Sequence, residues 1–139
     1  MIFGSCHFDN VISGLLEVIP RLVQAPLLSG KGSVPATLFL LFAGHALCDY
    51  PLQGQFLSDS KNRHLNPSGG WRLSMLAHCL IQAGMVLIVT GSIWFAFGEL
   101  MAHYATDCAK CEGWITSRQD QLIHYGCKIL WVLVGLCIW

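Results

Sequence analysis

WRLSMLAHCLIQAGMVLIVTGSIWFAFGELMAHYATDC, residues 71–108, is apolar for longer than a single membrane helix can use. As one helix it would measure about 57 Å, against a hydrocarbon core of about 30 Å. Thr90-Gly91-Ser92 is the natural turn inside it. The stretch therefore predicts two helices, about 72–89 and about 92–108. Upstream, residues 34–57 read VPATLFLLFAGHALCDYPLQGQFL, almost wholly apolar from Thr37 to Cys48 and ended by Asp49. That run is shorter than the usual span of about 20 residues. Helix continuing past Pro51 would place its polar end at the interface. Downstream, a fourth helix is predicted from about Ser117 to Trp139, with Trp131 and Trp139 as interface anchors. Polar loops at 58–70 and 109–119 separate these elements.

Composition agrees with this reading. Hydrophobic residues make up 54% of the 139 and charged residues 12%, whereas soluble chains average about 25% charged. Mean hydropathy is +0.55. A water-soluble domain of this size could not hide so much apolar side chain. The expected fold class is all-α: a polytopic membrane protein, with a four-helix transmembrane bundle over 35–139. Residues 1–34 are expected to be an N-terminal amphipathic, interfacial segment. There Val11, Leu15, Leu16, Val18, Ile19, Leu22 and Val23 recur at near-helical spacing opposite a Glu17–Arg21 pair. Pro20 and Pro26 interrupt the run, so the reading is a surface helix at about 9–25, with a kinked fifth span as the alternative. Formal net charge is zero, so no basic field exists to attract nucleic acid. The seven scattered cysteines do not form the pattern of a secreted disulfide framework. Cys108 and Cys111 make a lone CxxC without the second pair of a structural zinc site.

The chemistry lies in repeated His/Asp pairs. His45 and Asp49, His103 and Asp107, and Asp120 and His124 are each four residues apart, which places both members on one helix face. His78 stands near the start of the second helix, with Gln82 one turn on. If the helices alternate direction, both polar loops lie at one end, and all seven residues can converge at similar depth. Ionisable groups inside a bilayer are costly and mark functional sites by default. Imidazole with carboxylate suits a divalent metal such as Zn, Mn, Fe or Co. Two other readings stay open: a metal-free hydrogen-bond network that fixes the bundle, and proton or ion translocation. Gln53, Lys61, Lys110 and Gln121 flank the face as supporting residues, the lysines able to bind an anion or to snorkel. Glu99 precedes His103 by four and is placed to orient it or to reach solvent. His7 and His64 lie in polar surroundings and read as surface residues.

These motifs resemble a known family, the bacterial and phage membrane proteins of domain-of-unknown-function family 3307. The first motif here reads His45-Ala-Leu-Cys-Asp49-Tyr50-Pro51-Leu52-Gln53, followed by Lys61 and His78. Then come His103-Tyr-Ala-Thr-Asp107-Cys-Ala-Lys110 and Asp120-Gln121-Leu-Ile-His124. Order and spacing agree over 38–136. The N-terminal extension of about 34 residues departs from the family pattern. The resemblance implies a membrane protein, multi-pass in the bacterial inner membrane, but supplies no reaction.

The expected function is a membrane-embedded, metal-dependent, hydrolase-like protein acting through metal-acidified water. His45, Asp49, His103, Asp107 and His124 are the first-choice ligands, His78 completing the metal set. Asp49 and Asp120 double as candidates for catalytic general base, since spacing cannot separate these roles. A site at the membrane face points to a lipid or lipid-linked substrate. The alternative is a non-enzymatic membrane accessory protein with a structural His/Asp network. A third reading, a proton-coupled carrier, fits poorly with four short helices. Lys61, Arg63, Arg72, Lys110 and Arg118 on the site-bearing face, against Arg21 and Lys31 on the other, place the site in the cytoplasm.

Overall fold

The computed structural model describes residues 33–138, so the expected interfacial segment at 1–34 lies, but for its last two residues, outside the described part, as do His7 and Trp139. The described chain is all-α, with five helices and no strand. Helix α1 spans Val34–Asp49, α2 Gly54–Ser60, α3 Trp71–Thr90, α4 Ile93–Cys111 and α5 Ser117–Ile138. Ser33 caps α1 by accepting from the Ala36 N–H at 3.3 Å, with Pro35 in the first turn, where a missing N–H costs nothing. Helix does not run on past Pro51. It stops at Asp49, because Pro51 has no N–H to continue the ladder and the Leu52 N–H takes the Leu47 carbonyl instead at 3.1 Å, and it restarts at Gly54 as the short α2.

The Thr90-Gly91-Ser92 turn forms where the sequence places it. Gly91 adopts φ +69° and donates to the Leu87 carbonyl at 2.7 Å, while Ser92 caps α4 through the Phe95 N–H. This is the left-handed helix end that glycine permits. Helix α4 runs on to Cys111, so the second polar loop contracts to 112–116. Thr116 and Gln119 exchange bonds across the first turn of α5, Thr116 N to Gln119 Oε1 at 2.8 Å and Gln119 N to Thr116 Oγ1 at 3.3 Å. That capping box fixes the start of α5 at Ser117.

The four long helices form a ring in which each packs on two neighbours: α1 on α3 and α5, and α4 on α3 and α5. Contacts run in opposite order along each neighbouring pair. On α4 and α5, Phe95 meets Trp131 and Lys110 meets Asp120. On α1 and α5, Phe42 meets Tyr125 and Asp49 meets Gln121. The bundle is thus up-down-up-down, and both polar loops lie at one end, tied there by Arg63 to Glu112 at 2.5 Å.

The interior divides into two halves. Away from the loops, Leu41, Val86, Val89, Phe95 and Val132 form an apolar core. Toward the loops the interior is polar. Across the described residues, fourteen buried side chains are polar or charged and ten are hydrophobic, the reverse of a water-soluble core. Outside, large apolar side chains stand exposed on every long helix, including Phe39 at 71% and Trp94 at 80%. Helices α3 and α5 are long and apolar enough to cross a membrane. Helix α1 is apolar but has 16 residues, and α4 carries Glu99, Asp107 and Lys110.

Candidate metal centre

The polar half gathers all seven expected site residues, each of them buried. Helical spacing of four puts each His/Asp pair on an inward face, and the antiparallel ring brings the faces together. The tightest group is built on His78. Its Nε2 lies 3.0 Å from His103 Nε2, 3.2 Å from Asp49 Oδ1 and 3.4 Å from Asp107 Oδ2. His103 Nε2 is 3.8 Å from the same two carboxylate oxygens. Four donors bonded to one tetrahedral cation at about 2.0–2.2 Å would stand about 3.3–3.6 Å apart. These five spacings bracket that range. Asp49, His78 and His103 form one set that could hold an ion, with Asp107 beside it, and imidazole and carboxylate are donors that divalent zinc, manganese and iron accept.

A second group adjoins the first. His124 Nε2 lies 3.3 Å from Asp120 Oδ1 and 3.8 Å from Asp107 Oδ1. Asp107 therefore turns one oxygen to each group, as a bridging carboxylate does. The His103 and His124 rings stack between them, with centroids 3.9 Å apart. Buried polar atoms are normally hydrogen-bonded. Here His124 Nε2, Asp120 Oδ1 and the Nδ1 atoms of His78 and His103 have no hydrogen-bond partner among the described residues. Two of these orphans, His124 Nε2 and Asp120 Oδ1, belong to one donor group.

His45 is placed differently. Gln82 Oε1 lies 3.2 Å from its Nδ1 and Gln121 Oε1 3.3 Å from its Nε2. The same two glutamines donate to Asp49, Gln82 at 3.2 Å and Gln121 at 2.5 Å. His45 thus closes a ring of bonds that fixes Asp49, and it stands outside the donor groups. His78 Nε2, by contrast, faces three donor atoms.

Each of the other three buried carboxylates meets a lysine. Lys61, which follows α2 and is 3% exposed, bonds Asp107 and Gln53. It does not snorkel outward. Lys110 donates to Asp120 at 2.8 Å and Lys128 to Glu99 at 2.5 Å. Lys128 was not singled out from the sequence. The signal was there, since it falls one turn beyond His124 on the same face. Trp131 is not an interface anchor: it is half-buried, and its indole N–H donates to Glu99 Oε2 at 2.8 Å. Glu99 in turn stands 3.4 Å from His103 Nδ1, behind the ring whose Nε2 faces the donors. His64 pairs only with Glu112, at the surface, as expected. Cys108 and Cys111 are free thiols and join neither group.

No family model, curated protein or solved structure matches this chain. Among the described residues, the buried His/Asp/Glu groups could hold a metal ion.

Proposed function

We propose that this chain is a multi-pass membrane protein of four spans, with a divalent-metal centre and hydrolase-like chemistry at one membrane face. The observation that carries the reading is the convergence of His103 Nε2, Asp49 Oδ1 and Asp107 Oδ2 on His78 Nε2, at spacings near a tetrahedron's edge. The inverted burial supports the membrane setting, because lipid solvates the apolar exterior that water would not. The motif order shared with family 3307 fits a bacterial inner-membrane location.

A bound divalent cation would acidify water and polarise an ester or amide oxygen. Asp49, His78 and His103 would hold it, with Asp107 beside them carrying the Lys61 ammonium on the oxygen that faces His78. Glu99 would orient His103 from behind, as a carboxylate behind a metal-binding imidazole does. Asp120, which pairs with Lys110 and lies 3.3 Å from His124 Nε2, would take a proton as general base. The test is metal analysis of full-length protein purified in mild detergent. About one or two equivalents of Zn, Mn or Fe per chain are expected, two if both groups fill. A protein that stays metal-free after reloading would overturn the reading.

One observation favours a second reading. The three lysine–carboxylate pairs would offset the buried negative charge without a metal ion, as a structural network in an accessory protein would. The same measurement separates the two readings.

The site-bearing end is expected to face the cytoplasm. Arg63, Arg72, Lys110 and Arg118 gather there, and the Thr90-Gly91-Ser92 turn at the other end carries no charge. The exposed Ser68 suits insertion of a reporter pair. A fluorescent protein that matures only in the cytoplasm should light up there. Activity of an externally active phosphatase at Ser68, without fluorescence, would reverse the orientation.

A further inference from the structure

Beside the donor groups, a cleft of about 670 Å³ opens between the ends of α1 and α5. That size lies within the usual range for a small-molecule site. Asp49 lies in its wall and belongs to the first donor group, so the cleft leads to the proposed centre. Lys110 and Arg118 bring two cations to it, from α4 and from α5. Lys110 is partly committed to Asp120, whereas Arg118 is exposed and makes no ion pair with any described residue. Gln53 adds an amide, and Tyr50 and Leu122 form an apolar flank, 63% and 72% exposed. Leu47 and Ile123 continue that apolar surface along α1 and α5.

We infer that this cleft binds the phosphate-bearing headgroup of a lipid, held by Lys110 and Arg118, with its acyl chains along the apolar flank of α1 and α5. The inference deepens the hydrolase-like reading and rests on it for the use of the site, naming a phospholipid or lipid-linked phosphate as substrate class. Phosphate fits because two cations from different helices converge on one opening, and arginine presents a planar fork that matches its oxygens. A lipid fits better than a free phosphate because the cleft's flank is apolar and continuous with the outer surface. The nearby Asp49 carboxylate would repel the anion. The amides of Gln82 and Gln121 and a divalent cation would offset that repulsion.

The experiment is calorimetric titration of the full chain in detergent with three probes: dihexanoyl phosphatidate, dihexanoyl phosphatidylcholine and inorganic phosphate. Metal content is measured on the same samples, for the wild type and for Arg118→Ala. Phosphatidate should bind about tenfold more tightly than either other probe, and Arg118→Ala should lose about that factor, the worth of one charge-assisted bond. Metal content should not change in the variant, since Arg118 touches no donor. Equal affinity for phosphatidate and phosphatidylcholine, or no loss in Arg118→Ala, would overturn the assignment. Inorganic phosphate binding as tightly as phosphatidate would replace the lipid with a soluble phosphate and overturn it too. A chain without metal that still selects phosphatidate through Arg118 would uphold the cleft, and only the metal reading would fall.

Discussion

Replacing His103 with alanine is expected to weaken metal binding by more than about 100-fold, while His64→Ala leaves it unchanged. The scale follows from measured losses of about 10- to 100-fold when only a ligand's supporting partner is removed. His103 does more than support. Its Nε2 lies 3.0 Å from His78 Nε2, its ring stacks on His124, and its Nδ1 faces Glu99. One truncation therefore takes a donor from the first group and removes the ring between the two groups, while Glu99 keeps its bonds to Lys128 and Trp131. His64 is more than half exposed and reaches only Glu112. Metal content after dialysis against a graded chelator measures both variants. Because His103→Ala also opens a cavity, His103→Gln serves as a second variant that refills the volume without an imidazole. Metal affinity should fall in both, and helix content by circular dichroism should hold at least in the glutamine variant. Equal metal content in the His103 and His64 variants would remove His103 from the site.

The positions most legible in the sequence were those set by period and punctuation. The 71–108 run was too long for one helix, and Thr90-Gly91-Ser92 carried both a left-handed helix end and a cap, so the turn could be placed to the residue. The spacing of four in each His/Asp pair settles which face a residue shares. Two loops at one end follow from alternation alone, and the Arg63–Glu112 bond joins them. What could not be read was which donor atom points where. His45 and His103 look alike in sequence, each four residues before an aspartate. They part because Gln82 and Gln121, on α3 and α5, happen to reach the ring of His45, while His103 meets His78 instead. The sequence leaves Lys61 open between binding an anion and snorkelling, because nothing local shows that α2 folds back against α3 and delivers it to Asp107. Lys128 shares a helix face with His124, one turn on, but its partner Glu99 lies across the bundle and no spacing in the sequence names it.

That buried pair yields the largest expected change in stability. Lys128 and Glu99 are 1% and 0% exposed, joined at 2.5 Å, with Trp131 bonded to the second oxygen of Glu99. Removing one partner of such a pair leaves an uncompensated buried charge and costs about 3–5 kcal/mol, whereas replacing both with apolar residues of similar volume is often neutral or stabilising. Lys128→Met alone should therefore destabilise the bundle by about that amount, a large share of the about 5–15 kcal/mol typical of a folded domain. Lys128→Met combined with Glu99→Leu should recover most of it. Denaturation in mixed micelles, followed by the loss of helix, measures both. Metal affinity supplies the second reading, because the double variant has no carboxylate behind His103. If Glu99 only balances Lys128, the recovered double variant will bind metal as the wild type does. If Glu99 also holds His103 with its Nε2 toward His78 and Asp49, the double variant will be stable and yet bind metal about 10- to 100-fold more weakly. The 3.4 Å approach of Glu99 to His103 Nδ1 predicts the second result, and wild-type affinity in a stable double variant would refute it.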